Sequence, residues 1–519
     1  MDSAIETRKA TASASRRIVE IALVSAALVS FAIYRFVAAS PNIAPPGSDG
    51  GNWLAFGREL FGEDVKAADS TYPPILPGLL WAASKVVGPL AAAKLLGALV
   101  SVSAGIPLYL IATSGVEREF ALLATIVFVG AGYRSEVLAF GGYPQLLAEA
   151  FVLATIWMFS AGAIKNSSRL IVLAALFASL AIGTHHLSSI YLIVSLMVAG
   201  LALLLHGIGV RYLIKGLLLL VLLAILFAAP YYSFYYSMIT QLSELPFNAQ
   251  GWALSTAGET FSYIFRNSVG LWYALMGISV AVLLVPLPRK VVLVRVVAIA
   301  SLVGPMSLFA YFAEVRFLQF LFAGIALGVA LFVGWIWELL PDKPLYKRHA
   351  PFACFAVASA AIVWGGVLFT RQAYPWYQVV DAPRLEALEW LKEATPRESL
   401  IASTPTKNGW AIGWWIEGFS GRRTVVGADA RWMSFRQEKV HALLADSIVS
   451  SLITRDEASA YSLMSRNGIS YLFIDKAVWR NPQLSQAFFA RVFENDGVVI
   501  LERRQAKSVI PNRASSERR

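Results

Sequence analysis

The sequence has few charged residues and only one cysteine. Asp, Glu, Lys and Arg make up 15% of its 519 residues and hydrophobic residues 57%, whereas soluble domains carry about 25% charged residues. This composition excludes a single soluble globule and a disordered chain. The lone cysteine, Cys354, excludes an internal disulfide, so cysteine usage does not indicate a compartment.

The charged residues are unevenly distributed along the chain. Residues 371–519 hold 37 of them in 149 positions, and residues 1–370 hold only 40. We therefore expect a mainly α, polytopic membrane domain over 1–370, a small soluble α/β domain over 371–502 and a basic disordered tail over 503–519. The net charge of +11 does not indicate a nucleic-acid partner, because membrane proteins concentrate basic residues in cytoplasmic loops.

Apolar runs in the first 370 residues predict the membrane crossings. A helix needs about 20 apolar residues to cross the hydrocarbon core. Two of the runs, 120–133 and 170–184, are short. The full prediction is eleven crossings, at 18–37, 90–114, 120–133, 146–163, 170–184, 187–206, 215–236, 269–287, 291–312, 317–338 and 350–369.

The basic residues predict the orientation of these crossings. With the N-terminus in the cytoplasm, 15 Lys and Arg lie inside and 7 outside, as the positive-inside rule requires. Eleven crossings then place the soluble domain outside a plasma or inner membrane. The first apolar run is too long for a cleaved signal peptide, so it is expected to remain as an anchor. The short inner loops leave no room for a nucleotide site, so chemistry is expected on the outer face.

The first outer loop, 38–89, contains Asp49 within the sequence Pro-Pro-Gly-Ser-Asp-Gly-Gly-Asn-Trp. A carboxylate beside the bilayer is partly desolvated, which raises its basicity and suits a general base. The flanking glycines would leave the backbone open to a ligand. The alternative is that Asp49 caps a helix over 52–61. A second apolar stretch, 75–88, follows Tyr72-Pro73-Pro74 and predicts a helix lying on the outer surface.

This order of features resembles the GT-C glycosyltransferases, polytopic enzymes that take a sugar from a polyprenyl-phosphate carrier on the outer face. Their usual order is a helix, an acidic residue, an amphipathic helix, a Tyr-Pro-Pro-like start of a second surface helix, and two crossings. The chain is similar from 18 to 133, with Asp49 at the position of the acid. The resemblance implies that Asp49 is the catalytic base.

The next outer loop, 133–145, has one acid, Glu136. The resemblance implies a second catalytic acid in this loop, although Glu136 comes earlier than the acid of the family. Glu136 could instead be a solvated charge or the partner of Arg134. Tyr143 and Gln145 are predicted to contact the acceptor or the sugar. Glu149, one turn into the fourth crossing, is either functional or hydrogen-bonded across a helix pair.

Four residues are predicted to bind the donor phosphate or its lipid. Arg316 opens the tenth crossing, where a guanidinium can hold a phosphate bidentately; the alternative is an interfacial anchor paired with Glu314. His185 and His186 end the fifth crossing, where the alternative is a purely structural role, and Tyr72 precedes the surface helix. Adjacent helical histidines point about 100° apart and make a poor metal site. No metal ligand is assigned, and the need for a divalent metal stays open.

The soluble half alternates helical patterns with short apolar runs, which is typical of an α/β domain. Proline starts a helical pattern at 383–393. Strands are predicted at 399–402, 424–426, 469–474 and 498–501, and further helices at 436–449, 456–467 and 482–490.

The segment 410–424 has three tryptophans in six residues. It resembles the region around the WWDYG signature of oligosaccharyltransferase catalytic subunits, but the acid of that signature falls at Ala411. Trp414, Trp415 and Glu417 are predicted to contact the acceptor or the sugar, since indole rings stack on sugars. The alternative is an aromatic core cluster.

The resemblance to the GT-C enzymes implies an integral membrane glycosyltransferase, a hexosyl- or pentosyltransferase. It would move a sugar, with inversion, from a polyprenyl-phosphate carrier to a hydroxyl of a glycan, lipid or protein acceptor. The alternatives are a lipid-linked oligosaccharide transferase, a transporter or flippase, and an envelope-glycan assembly protein. Transporters commonly show internal repeats, and none is clear in this sequence.

Overall fold

The structure is a computed structural model that describes residues 2–242, 257–265, 268–312, 314–340, 345–430, 433–480 and 486–504, without the side chains of 2–18, 257 and 345–348. The chain divides into two compact units. The first comprises residues 1–49, 71–240 and 244–378; the second comprises 50–70, 241–243 and 379–519.

The described residues of the first unit form helices joined by turns and short loops. Two prolines lie inside its last helix, and short 3₁₀ turns at Ala229–Tyr231, Arg289–Val291 and Val315–Phe320 precede three others. The first seventeen helices of the chain are α1 Asp2–Ala39, α2 Asp49–Leu60, α3 Ile75–Val87, α4 Pro89–Ser103, α5 Gly105–Ala112, α6 Arg118–Gly130, α7 Gly132–Phe140, α8 Tyr143–Lys165, α9 Ser168–Ile182, α10 His186–Leu205, α11 Val210–Ala228, α12 Tyr232–Gln241, α13 Ala257–Ile264, α14 Val269–Leu284, α15 Val292–Phe312, α16 Leu321–Leu339 and α17 Leu345–Tyr377.

Several of these helices, alone or together with the next helix, are long and apolar enough to cross a membrane. The described residues contain eight such spans, or ten if each of two bent pairs forms one span. One pair is α6 with α7, bent by 43°. Ten of the eleven predicted crossings correspond to these spans. The eleventh, 170–184, corresponds to α9, which has only 15 residues and is too short for an untilted span.

The prediction of an outer loop over 133–145 was wrong for its first part. Residues 132–140 form helix α7, and seven of its nine residues are buried. The helix ends at Gly141, whose φ of +99° is left-handed, as is common for a glycine after a helix. The buried charges of α7 find partners inside the bundle, which explains why a charged segment can be part of it.

The predicted surface helix is present as α3, with 13 residues. Its first amide, that of Ile75, donates to the carbonyl of Gly183 at 2.9 Å. Proline is tolerated at this helix start because the first amides of a helix have no partner within it. The segment from Tyr72 to Ile75 is therefore fixed against the end of α9.

The second unit contains a five-stranded mixed sheet in the order β2-β1-β3-β5-β4. The strands β1, β2 and β3 are parallel, and β5 is antiparallel to both of its neighbours. Its remaining elements are β1 Leu400–Ser403, β2 Arg423–Val425, β3 Ile469–Asp475, β4 Phe489–Glu494, β5 Val498–Arg503, α18 Ala382–Ala394, α19 Gly413–Trp415, a π-helical turn Ile416–Ser420, α20 Arg436–Ile453 and α21 Glu457–Arg466.

The strands and most helices of this unit agree with the sequence predictions, but the helix predicted at 482–490 was wrong in its described part. Residues 489–494 form β4 at the sheet edge, paired with β5. Asn495 closes the hairpin, because its side-chain oxygen accepts from the amides of Gly497 and Val498 at 3.0 and 2.9 Å. Cross-strand pairing overrides a local helical pattern here. Residues 481–485 and the predicted tail over 505–519 lie outside the described residues.

Residues 50–70 belong to the second unit, although the sequence placed them in the loop of the membrane half. Helix α2 lies against the π-helical turn so closely that a Cβ on Gly418 would come 2.2 Å from the carbonyl oxygen of Gly51. A Cβ on Gly51 would come 2.7 Å from the backbone of Trp414. Only glycine permits this approach.

Candidate functional site

Asp49 is the first residue of α2 and is half-buried. The hydroxyl of Ser48 donates to its Oδ1 at 3.2 Å. The loop before it is fixed by Gly47, which has a φ of +89° and whose amide donates to the carbonyl of Tyr377 at 2.8 Å. A Cβ on Gly47 would clash with the backbone of Phe140 at 2.6 Å. Gly47 and Gly51 therefore allow close backbone packing rather than leaving the backbone open to a ligand.

Tyr72 lies beside the two histidines. Its ring meets that of His186 edge to face, with centroids 5.7 Å apart, and that of His185 at 6.5 Å. Burial raises the pKa of Tyr72 well above its ordinary value, so the phenol keeps its proton and can donate a hydrogen bond. The Nδ1 of His186 is buried without a hydrogen-bond partner among the described residues.

His185 caps helix α10. Its Nδ1 accepts from the amide of Ser188 at 3.2 Å and lies 2.8 Å from the hydroxyl of that residue. Burial, His186 and Arg316 lower the pKa of His185 well below its ordinary value. His185 is therefore a neutral imidazole whose Nδ1 is used in the cap, which leaves Nε2 as its N–H.

Arg316 lies in the 3₁₀ turn Val315–Phe320 and forms a fork with Glu314. Its Nε donates to Oε1 at 2.9 Å and its Nη2 to Oε2 at 3.0 Å. Burial would raise the pKa of Glu314, but Arg316 outweighs it and the net pKa is lowered. The side chain of Arg316 is 37% exposed, so it is not enclosed by its partner.

These residues form one polar group, because the phenol of Tyr72 lies within electrostatic range of both Asp49 and Arg316, and His186 within range of Arg316 and Glu314. We call Asp49, Tyr72, His186, Glu314 and Arg316 the Asp49 cluster. It combines a carboxylate that can accept a proton with a guanidinium, a phenol and an imidazole that can donate to an anion. The sequence predicted each of these residues except Glu314, which it considered only as an ion-pair partner.

Glu136 neighbours this cluster but is almost fully buried. Its Oε1 accepts from the hydroxyls of Tyr263 and Tyr377 at 2.5 and 2.9 Å. Tyr133 lies within electrostatic range of Glu136, Glu314 and Arg316. Glu136 is therefore neither a solvated charge nor the partner of Arg134, and its two tyrosine donors were not foreseen from the sequence.

Arg134 pairs instead with Glu149, and neither side chain has exposed surface. The Nε2 of Gln319 donates to Oε2 of Glu149 at 3.2 Å. We call Arg134, Glu149 and Gln319 the Glu149 cluster. Glu149 thus corresponds to the acid hydrogen-bonded across helices, an alternative that the sequence left open.

Tyr143 and Gln145, predicted to contact the acceptor or the sugar, are 1% and 2% exposed. Tyr143 lies within electrostatic range of Asp49. The Nε2 of Gln145 donates to the carbonyl of Arg316 at 2.9 Å. Both residues are therefore buried next to members of the Asp49 cluster, and Gln145 contacts a protein group rather than solvent.

The second unit has its own buried ionic group, formed by Lys66, Glu417 and Glu438. Lys66 Nζ lies 3.1 Å from Glu417 and 3.5 Å from Glu438, and it donates to the side chain of Asn52 at 2.9 Å. Burial raises the pKa of Glu417 to about 7, although Lys66 opposes the shift. Two carboxylates face one ammonium, so a proton on Glu417 balances the charge.

Trp414 and Trp415 are 9% and 0% exposed. Trp414 packs with Ala411, Val426, Met433 and Ala442 in a hydrophobic cluster. With Glu417 paired to Lys66, these three residues form part of the interior of the second unit, which is the alternative that the sequence left open. Within the described residues, no three His, Cys, Asp or Glu side chains come together in a group able to hold a metal ion.

No protein-family model and no curated protein sequence matches the chain. Several solved structures share its fold. ArnT from Cupriavidus metallidurans, bound to undecaprenyl phosphate, matches with a TM-score of 0.56 at 13% identity, over 93% of this chain and 97% of ArnT. AglB from Archaeoglobus fulgidus is an archaeal oligosaccharyltransferase, in complex with an inhibitory peptide and a dolichol-phosphate. It matches with a TM-score of 0.54 at 12% identity, over 89% of this chain and 70% of AglB.

The arabinofuranosyltransferase AftD from Mycobacteria matches with a TM-score of 0.56 at 14% identity, over 92% of this chain and 41% of AftD. All three are GT-C glycosyltransferases. The likeness extends over nearly the whole chain, including both units. The chain is therefore a multi-pass membrane protein with the GT-C fold and a small C-terminal α/β domain.

Proposed function

We propose that this chain, which has the GT-C fold, transfers a sugar from a polyprenyl-phosphate carrier to a hydroxyl acceptor on the outer face of the membrane. The observation that supports the proposal is the Asp49 cluster. A proton acceptor and a group of anion-binding donors are linked there through Tyr72. A glycosyl transfer needs both, because the acceptor loses a proton while the leaving phosphate gains negative charge.

In the proposed reaction Asp49 accepts the proton of the acceptor hydroxyl. The hydroxyl oxygen forms a bond to the anomeric carbon while the bond from that carbon to the carrier phosphate breaks. The electron pair leaves with the phosphate oxygen, and attack from the opposite side inverts the configuration. No nucleotide takes part, because the carrier presents the activated sugar within the membrane.

The leaving phosphate gains negative charge, and we assign its stabilisation to Arg316, Tyr72 and His186. Nε and Nη2 of Arg316 donate to Glu314. We therefore expect Nη1 to donate to the phosphate. The buried Nδ1 of His186, which has no hydrogen-bond partner among the described residues, supports a ligand at this position. Charge-assisted hydrogen bonds of this kind are about twice as strong as neutral ones.

Binding and transfer can be tested with purified protein in detergent. We expect undecaprenyl phosphate to bind with higher affinity than undecaprenol, which lacks the phosphate. Polyprenyl-phosphate sugars with different hexoses and pentoses should then identify the donor by release of polyprenyl phosphate. Equal affinity for the two lipids, together with no turnover of any donor, would contradict the proposal and favour the transporter or assembly alternative.

The outer location of the second unit can be tested by cysteine labelling in intact cells. Replacing Cys354 with Ser removes the single native cysteine. A cysteine at the exposed position Ser447 should then react with a membrane-impermeant maleimide, whereas one at the exposed position Ser168 should react only after lysis. The opposite pattern would reverse the proposed orientation.

A second candidate is transfer of an oligosaccharide from a lipid carrier, which the similarity to AglB favours. The segment around Trp414 departs from the oligosaccharyltransferase signature at Ala411. We therefore do not expect recognition of asparagine sequons. A peptide acceptor that is glycosylated by the purified protein would make this candidate the better one.

A further inference from the structure

Helix α8 holds the 3₁₀ turn that carries Arg316 at two points. The side chain of Gln145 donates to the carbonyl of Arg316 at 2.9 Å, and Glu149 accepts from the side chain of Gln319 at 3.2 Å. Gln145 and Glu149 are four residues apart and share one face of α8. Arg316 and Gln319 are three residues apart, which is one 3₁₀ turn. One helix face therefore contacts both ends of a single turn.

The charge of Glu149 is balanced by a buried protein side chain and not by a ligand. Arg134 pairs with it, donates to the carbonyl of Ser101 at 3.2 Å, and lies over the ring of Phe128 at 4.2 Å. Arg134, Glu149 and Gln319 have no exposed surface. Glu149 therefore cannot touch the substrate in this structure, although an ionisable residue inside a membrane domain is costly and normally has a role.

We propose that Gln145, Glu149 and Gln319 are positioning residues that fix the turn from which Arg316 reaches the carrier phosphate. Short 3₁₀ turns have poor internal hydrogen-bond geometry, so this turn depends on outside contacts. Glu314 orients the guanidinium itself, and α8 holds the backbone beneath it. The inference rests on the proposed phosphate role of Arg316, and it assigns Glu149 to positioning rather than to catalysis.

The test uses Gln319→Leu, because Glu149→Gln would leave Arg134 without a charged partner and could prevent folding. Gln319→Leu removes one contact to the turn and leaves the Arg134–Glu149 pair in place. We expect affinity for undecaprenyl phosphate to fall about three- to tenfold, with affinity for undecaprenol unchanged. Thr155→Val is a matched control, since Thr155 is buried in α8 and its hydroxyl donates only within that helix, at 2.8 Å.

A double-mutant cycle with Arg316→Ala distinguishes positioning from a general structural effect. If Gln319 acts through Arg316, Gln319→Leu should cause no further loss of affinity in the Arg316→Ala protein. Additive losses, or a Gln319→Leu protein with full affinity, would overturn the inference alone. An Arg316→Ala protein with full affinity would overturn the phosphate role of Arg316 and the inference with it.

Discussion

Two groups of Arg and Glu side chains lie in the first unit, and they differ mainly in exposure. In the Asp49 cluster the side chains of Arg316 and Glu314 are 37% and 18% exposed. In the Glu149 cluster Arg134 and Glu149 are 0% exposed. The same residue types can therefore meet a ligand in one cluster and only other protein groups in the other.

This difference suggests how the polar groups of a membrane domain divide their tasks. A partly exposed ion pair can bind a phosphate beside its existing partner, because water and ligand reach it. In a fully buried ion pair, neither side chain can leave its partner without leaving an uncompensated buried charge. We therefore assign chemistry to the Asp49 cluster and positioning to the Glu149 cluster, and the following changes test that division.

The largest effect on activity is expected from Asp49→Asn, which keeps size and hydrogen bonding but cannot accept a proton. Loss of a general base typically lowers the rate about 10²–10⁴-fold. We expect sugar transfer to fall by this amount, with thermal stability and undecaprenyl phosphate affinity nearly unchanged. Asp64→Asn is the control, because Asp64 lies in the same loop with a 77% exposed side chain. Full activity of Asp49→Asn would reduce Asp49 to a helix-terminal residue, since Asn serves there equally well.

The largest effect on stability is expected from breaking the Arg134–Glu149 pair on one side. Arg134→Met leaves a buried carboxylate without its cation, which typically costs about 3–5 kcal/mol. Changing both residues to Met should cost clearly less, because no charge stays unpaired. Thermal unfolding of the three proteins in one detergent measures this. Equal losses of stability in the single and double variants would show that the unpaired carboxylate of Glu149 carries no extra cost, which would contradict the buried ion pair.

A smaller effect is expected from Arg316→Lys, which keeps the charge but loses the planar fork. We expect affinity for undecaprenyl phosphate to fall about tenfold, equivalent to about 1.4 kcal/mol, with no change for undecaprenol. Arg397→Lys is the control, because Arg397 is 67% exposed and lies in the second unit. Unchanged phosphate affinity would make Arg316 an interfacial anchor.

The smallest effect is expected in the second unit, from the proton on Glu417. Its pKa is raised from 4.5 to about 7 in the folded chain, so the folded form holds the proton more tightly. The protonated Glu417 therefore stabilises the folded state. This contribution to the free energy of unfolding is complete below about pH 4.5 and is lost as the pH rises to about 7. Raising the pH across this window should therefore lower the melting temperature more in the parent than in Glu417→Gln, by a few degrees.

The groups that face Glu417 have to be considered in this experiment. Lys66 pairs with both Glu417 and Glu438, and burial lowers the pKa of the nearby His441. A lowered histidine pKa adds stability as the pH rises, which opposes the effect of Glu417. His441 is present in both proteins, so the difference between them isolates Glu417. Identical pH dependence would contradict a raised pKa of Glu417 in the folded protein.

The main features of the fold and part of the site could be predicted from the sequence. Hydropathy indicates long membrane helices because each one carries its own apolar signal. Asp49, Tyr72 and Arg316 were predicted to act at one site because each lies at a helix end or helix start, where the chain reaches the same side of the bundle. Their roles in transfer stay predictions.

The partners of buried charges could not be predicted in the same way. Arg134 and Glu149 are 15 residues apart, and Lys66 and Glu417 are 351 residues apart. Nothing in the local pattern indicates which acid meets which base, because a tertiary contact depends on the packing of whole elements. The same reason explains the missed strand β4, whose pairing with β5 outweighs its local sequence.

The contact between Gly51 and Gly418 has a consequence for dividing the protein into fragments. The second unit is assembled from segments that are distant in the chain, so a fragment that begins at Val379 would lack α2 and Lys66. Glu417 and Glu438 would then lose their shared cation, and the surface of the π-helical turn that receives Gly51 would be uncovered. We therefore expect such a fragment to become soluble and folded only when a peptide covering residues 50–70 is supplied or fused to it.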